Sequence, residues 1–335
     1  MSTTVTPDLR VNETRQLSTQ RLITVLGPYI GLALVLIIFS IPSDVRVHFL
    51  TLGNMRTVAT QTVIVGLCAL GMTLIIISGG IDLSVGSVIA LTSVVAALLL
   101  HAHCTPILAV LGAVLAGGVV GMINGSLITG LRVTPFIVTL GTMGIARGVA
   151  EWIAKETTVN APTTWINNLT ATTPTPAWLV LSPSLWVTVA FAIATAALLK
   201  FTVLGRYIFA IGSNETTSRL SGLKVDRLKI AIYAIAGLFF GLAGAMQFST
   251  LSLGDPTSAN GLELDVIAAV VIGGASLNGG EGSVMGSIIG ALIMSLLRNG
   301  SQQMGWEAYV EKIIIGSVII AAVALDRLRH RTSTH

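Results

Sequence analysis

The chain has 335 residues, 53% of them hydrophobic and only 10% charged, against roughly 25% charged in soluble domains. That composition excludes a soluble enzyme. The formal net charge is +4, but the basic residues gather in the terminal segments and in one loop, which reports membrane orientation rather than a nucleic-acid partner.

A hydrocarbon core about 30 Å thick takes about 20 apolar residues per helical span. Apolar windows at 25–41, 58–78, 85–100, 106–130, 136–154, 185–199, 230–253, 266–276, 284–297 and 313–325 predict an all-α, polytopic membrane protein of about ten helices. The organisation expected is a tail 1–24, a transmembrane region 25–325 and a tail 326–335. Several windows are short, so their helices run into neighbouring loops or are broken. The first 22 residues are too polar for a signal peptide, and 25–41 reads as an uncleaved first span. Arg10, Arg15 and Arg21 precede that span and Arg327, Arg329 and Arg331 follow the last one. With Arg132 and loop 200–229, thirteen of the nineteen basic residues then fall on one side, which places both termini in the cytoplasm. Segment 155–183 falls outside, flanked by Trp152, Trp165, Trp178 and Trp186, and Asp44, Glu156, Asp255, Glu263, Asp265, Glu307 and Glu311 are read as acids of outer loops.

Polar residues within the apolar windows, and the Gly-broken link between windows 58–78 and 85–100, are the candidates for a solute path. In chain order these are Gln61, the break Gly79, Gly80, Asp82 and Ser84, then Asn124 and Gln247. An Asp at a helix centre costs about 2.5–3.5 kcal/mol, so Asp82 needs a partner, a cavity or a turn. It lines a solute path or, with Ser84, caps the next helix. The amides bind a passing solute or bond neighbouring helices. Arg147 and Glu151, four apart on one helix face, are expected to pair.

Glycines form small-xxx-small rows at Gly117, Gly121 and Gly125, at Gly237 and Gly241, and at Gly282, Gly286 and Gly290. Rows of this kind let helix backbones approach closely. The segments Gly79–Val88 and Gly273–Val284 echo one another, a weak internal repeat of the sort that marks a transporter's centre.

Covalent chemistry has no candidate residues. Cys68 and Cys104 lack disulfide or metal spacing, and His101 and His103 have no acid beside them. No metal site or catalytic residue is expected. The chain also lacks a G-x-x-x-x-G-K-S/T stretch, so any ATP that drives transport is bound by another polypeptide.

In loop 200–229, Ser213 is expected to cap a helix of about 8 residues, roughly 12 Å long, starting at Asn214. Glu215 falls in its first turn and Arg219 in its last, with Leu220 and Ser221 leading to Gly222 at the left-handed C′ position. Such a helix is either a peg for a partner or an interfacial anchor.

The passages GGIDLSVGSVIAL (79–91), TPFIVTLGTMGIARG (134–148), GRYIFAIGSNETTSRLSGLKV (205–225), ELDVIAAVVIGGASLNGGEGSVMGSIIGAL (263–292) and AVALDRLR (322–329) resemble the permease subunits of bacterial ABC importers for monosaccharides, the ribose/xylose/arabinose/galactoside group. The resemblance implies a non-enzymatic subunit of the bacterial inner membrane. It further implies a permease dimer, usually of two identical copies, two cytosolic ATPase subunits that hold the ATP and Mg, and a periplasmic or extracellular sugar-binding protein. Residues Ser213–Gly222 then correspond to the coupling helix seated in the ATPase. ABC permeases for nucleosides, autoinducer-type sugars or branched-chain amino acids share the general plan, and an ion-coupled secondary carrier is the rival that needs no ATPase.

Overall fold

A computed structural model describes residues 26–174 and 176–331. Among these residues the helices are α1 (Leu26–Ser40), α2 (Ser43–Phe49), α3 (Leu52–Ile77), α4 (Val85–His101), α5 (Pro106–Leu131), α6 (Pro135–Ile153), α7 (Pro183–Phe201), α8 (Val203–Ser213), α9 (Glu215–Leu220), α10 (Val225–Leu251), α11 (Leu262–Ile272), α12 (Val284–Gln303) and α13 (Ala308–Arg331). Six of them, α3, α5, α6, α7, α10 and α12, are long and apolar enough to cross a membrane. Each of the ten apolar windows overlaps a helix, but α11 has only 11 residues. The tail 1–24, with Arg10, Arg15 and Arg21, lies outside the described residues. Helix α13 continues to Arg331, past the expected boundary at 325.

The starts of the helices are local in origin. Pro106, Pro135 and Pro183 occupy first-turn positions where a missing N–H costs nothing. Thr51, Thr202 and Ser283 accept hydrogen bonds from the backbone N–H groups of Asn54, Gly205 and Gly286.

Helix α3 is the axis of the bundle, with nearly every residue from Val63 to Ile77 buried. Helix α5 is just as apolar, yet far less of it is buried, and its buried stripe is made largely of small residues at a spacing of four. Those residues, Ala109, Ala113, Gly117, Gly121 and Gly125, lie on α10. A methyl group on Gly121 would overlap the carbonyl of Tyr233, and one on Gly237 would overlap the carbonyl of Gly117. Gly241 faces Ala113 and Val114 in the same way. The first two glycine rows therefore hold α5 against α10 at backbone contact distance.

The third row is only partly helical. Gly286 packs on the carbonyl of Gly273, the residue that caps α11, and Gly290 on that of Ala269 within it, but Gly282 precedes the cap Ser283 and stands outside α12. A Cβ on Gly282 would come 2.8 Å from the Ile77 side chain, so it packs the loop rather than a helix face.

At one end of the bundle the α3–α4 and α11–α12 loops meet the end of α8. The backbone N–H of Gly280 donates to the carbonyl of Ile77 at 2.8 Å. Gly212 seats its Cα against that same carbonyl, and a Cβ on Gly279 would stand 3.0 Å from the Cα of Gly79. The two echoing segments are thus brought together in space, with the chain leading into α9 between them.

The described residues include one small exception to the all-α plan. At the opposite end, β1 (Val159–Asn160) pairs antiparallel with β2 (Leu253–Gly254), fastening segment 155–183 to the α10–α11 connection. Arg147 does not pair with Glu151. Its Nη1 donates to the carbonyls of Pro256 and Ser258 in that connection, where loop carbonyls without helical partners offer a better fit to the guanidinium.

Candidate functional site

The expected loop helix exists as α9, shorter than foreseen at 6 residues. Its cap is Asn214 rather than Ser213: the Asn214 Oδ1 accepts from Thr217 N at 2.8 Å. Ser213 instead completes α8, because Gly212 stays helical where it touches Ile77 and only Asn214 turns extended. The C-terminal end forms a Schellman motif, in which Gly222 N–H donates to Arg219 O and Leu223 N–H to Ser218 O. Gly222 adopts φ +84°, the left-handed conformation in which a side chain is strained.

Ion pairs tie α9 to the first turn of α10. Arg219 Nη2 lies 3.0 Å from Glu215 Oε1 and 2.6 Å from Asp226 Oδ1, and Lys229 Nζ is 2.6 Å from Glu215 Oε2. Burial alone would raise the Glu215 carboxyl, but Lys229 and Arg219 outweigh it and hold it below the usual carboxylate range. The hydrogen bonds that Arg219 donates to Asp226 and Glu215 raise its own pKa in turn. These groups and the α5–α6 turn, Arg132 to Pro135, border a cleft of about 570 Å³. Beside it Leu220 is 84% exposed, an apolar side chain presented on an otherwise ion-paired surface.

The polar residues of the apolar windows fall into two groups. Near the α9 end, Asp82 is only 1% exposed. Its Oδ1 accepts from Ser84 N–H (2.8 Å) and Ser84 Oγ (2.6 Å), and Oδ2 accepts from Asn124 Nδ2 (3.3 Å). Ser84 holds the N-cap position of α4 without a capping bond, since its hydroxyl is given to Asp82. The Tyr233 hydroxyl, buried and without a protein partner, lies over Gly80. Asp82, Ser84 and Asn124 thus bond to one another within the core and tie the α3–α4 turn to α5, with the Asn124 Oδ1 left without a hydrogen-bond partner among the described residues, while Gly79 is exposed beside Gly212.

Gln61 and Gln247 lie together near the opposite end, in a cavity of about 220 Å³ between α3, α10, α11 and α12. Asp265 and Arg298 line it too. Arg298 Nη2 is 2.6 Å from Asp265 Oδ2, and its Nε is 2.8 Å from Glu311 Oε1 in α13. Of the acids expected in loops, Asp44, Glu263, Asp265 and Glu311 lie in helices instead; α11 begins earlier, at Leu262, and Arg298 compensates the buried Asp265. Arg298, absent from the candidates above, carries a signal in the sequence as well: it is a lone Arg in an apolar helix.

Residues 54–323 match the family described as branched-chain amino acid transport system / permease component. The ribose import permease protein of Escherichia coli strain K12 is 38% identical over 88% of this chain and 92% of its own. That of Bacillus subtilis strain 168 is 39% identical over 90% and 92%. The L-arabinose ABC transporter permease protein of Azospirillum brasilense is 34% identical over 88% and 86%.

The chain belongs to this permease family.

Permeases of this family are multi-pass membrane proteins and transport components rather than enzymes, which agrees with a helical bundle that has six candidate spans. No solved structure matches the chain. Three of the passages that carry the sequence resemblance fall on the α3–α4 turn and the start of α4 (79–91), on α8 and α9 (205–225), and on α11, its loop and α12 (263–292).

Proposed function

We propose that this permease is the membrane subunit of an ATP-driven importer of a monosaccharide, ribose-like or a related pentose or hexose. The observation that carries the reading is the similarity to ribose and arabinose permeases across most of their length. In this reading ten helices (α1, α3 to α7 and α10 to α13) lie within the bacterial inner membrane, α11 with its 11 residues entering it without crossing, and α9 with both termini faces the cytoplasm. A separate ATPase grips the exposed Leu220 on α9. Its motion passes through Gly212 to the ends of α3 and of the α11–α12 loop, which touch that glycine. A binding protein outside delivers the sugar.

A second copy of the chain fits against α6. Gly141, Gly144 and Gly148 of that helix meet nothing within 4 Å, unlike the rows already buried between α5 and α10. Unspent small residues with the Gly-x-x-x-Gly spacing suit a further helix.

Proteoliposomes holding the permease, its ATPase and the binding protein are expected to accumulate labelled D-ribose or another monosaccharide only when ATP is hydrolysed. Accumulation without the ATPase would favour an ion-coupled carrier, and ATP-driven uptake of leucine in place of sugar would favour the amino-acid branch of the family.

A further inference from the structure

We infer that Arg147, Glu151, Asn260 and Glu263 form a polar constriction that the sugar meets inside the membrane, on the path between two copies of the permease. The inference rests on the import reading above, with its second copy against α6, and adds the residues that touch the solute.

The α10–α11 connection does not stay at the surface of the bundle. Gly254 packs on Val94 and Ala97, toward the C-terminal end of α4, whereas the carbonyl of Ala259 seats on Gly86 in its first turn. Gly86 and Ala97 stand about 16 Å apart along that helix. The connection therefore descends through half of a hydrocarbon core about 30 Å thick. Residues 255–261 are neither helix nor strand, and Thr257 and Asn260 among them are exposed. Irregular backbone at that depth is tolerated only where protein buries it or a water-filled cavity adjoins it.

The neighbouring charges decide for water. A cavity of about 290 Å³ separates the connection from α6, bordered by Gly144, Arg147, Glu151, Thr257, Asn260 and Glu263. Ionisable side chains within a membrane face a wet cavity or a partner and mark solute pathways. Arg147 uses only its Nη1, on the carbonyls of Pro256 and Ser258, which fixes the guanidinium and leaves Nε and Nη2 to donate into the cavity. Glu151, one turn along α6, makes no hydrogen bond or ion pair among the described residues. The Glu263 carboxylate stands over α4, where a Cβ on Gly86 would come 2.6 Å from its Oε2.

Guanidinium and amide donors thus face carboxylate acceptors across one cavity, a pattern that the hydroxyls of a sugar, each both donor and acceptor, satisfy. Two carboxylates outnumber the one guanidinium, so an anionic solute such as a sugar phosphate is repelled and a neutral polyol is not. Gly144 borders the cavity and is also one of the α6 glycines that meet nothing within 4 Å. A second copy seated on those glycines brings its own cavity alongside by two-fold symmetry. Two such cavities together reach the roughly 300–1,000 Å³ of small-molecule sites.

The test uses the complete transporter in proteoliposomes, with ATP inside and the binding protein and D-ribose outside. On a Cys104→Ser background, with Cys68 buried, Asn260→Cys and Glu151→Cys are expected to react with a water-soluble methanethiosulfonate added outside. Ile193→Cys, at an exposed position midway along α7, is expected not to react, because lipid excludes the reagent. Reaction at Asn260→Cys is expected to lower D-ribose uptake at least tenfold. Failure of either variant to react, equal reaction at Ile193→Cys, or full reaction with uptake within twofold of the unlabelled variant overturns the constriction. If Asn260→Cys does not assemble, Glu151→Cys carries the labelling arm. A second arm needs no label. At equal amounts of assembled complex, Glu151→Leu is expected to lower uptake about tenfold, the equivalent of one or two lost hydrogen bonds, and Glu151→Gln by less. Uptake within twofold of wild type for Glu151→Leu overturns the constriction. Wild-type uptake in the same preparation separates the two readings: without it the import reading fails, and with it only the constriction is at stake.

Discussion

Replacing Gly121 by isoleucine is expected to stop the protein accumulating in the membrane. A Cβ at that position overlaps the carbonyl oxygen of Tyr233 and comes 2.9 Å from its carbonyl carbon and 3.1 Å from the Cα of Gly237. All three atoms are backbone, so no side-chain rotation relieves the clash, and α5 must move off α10. Overpacking a core costs typically about 1–3 kcal/mol even when side chains can yield, against a total stability of about 5–15 kcal/mol. Gly121→Ala should give an intermediate yield. Gly130→Ile, on the same helix but with nothing within 4 Å, should leave yield unchanged. Monodisperse protein recovered from detergent extracts reads all three, and normal recovery of Gly121→Ile would show that the α5–α10 contact is not structural.

Arg219→Glu is expected to spare insertion and destroy coupling. Arg219 joins Glu215 to Asp226 on an exposed surface, where single ion pairs contribute little to stability. The reversal sets three carboxylates against Lys229 and Arg132, so α9 is pushed from its seat on α10 while the bundle is untouched. Uptake should fall by about tenfold or more, within the roughly 5–150-fold span of typical couplings between sites, at normal yield. Unchanged uptake would remove the ion-pair network from the account of coupling.

These two predictions differ in how far the sequence alone foretold them. The spacing of four that joins Gly117, Gly121 and Gly125 is visible in the chain, and so is the Gly-broken turn around Asp82. Which of two equally apolar helices becomes the axis is not visible: α3 and α5 read alike, and only the small-residue stripe on α5 turns its bulky side chains outward. The cap of α9 was misplaced by one residue because Ser213 and Asn214 are both good caps. Gly212, a helix breaker in isolation, stays helical through its contact with Ile77, more than a hundred residues away. The same limit applies to the polar residues. The bond from Ser84 to Asp82 spans two positions and is local, whereas Asn124 reaches Asp82 across 42 positions and Arg298 reaches Asp265 across 33. Those long-range partners satisfy the Asp82 carboxylate, whereas the Gln61 Oε1 and the Asn124 Oδ1 have no hydrogen-bond partner among the described residues.

The central claim is that α9 is the seat of a separate ATPase, on the cytoplasmic side. A photo-crosslinking amino acid placed at Leu220, 84% exposed beside the ion-paired cleft, tests it directly in intact membranes, with Trp178, 76% exposed in segment 155–183, as the opposite-side control. The account expects irradiation at 220 to capture a polypeptide bearing an ATP-binding motif, and irradiation at 178 to leave that polypeptide untouched. Capture of the ATPase at 178, or an adduct at 220 with lipid alone, would contradict it.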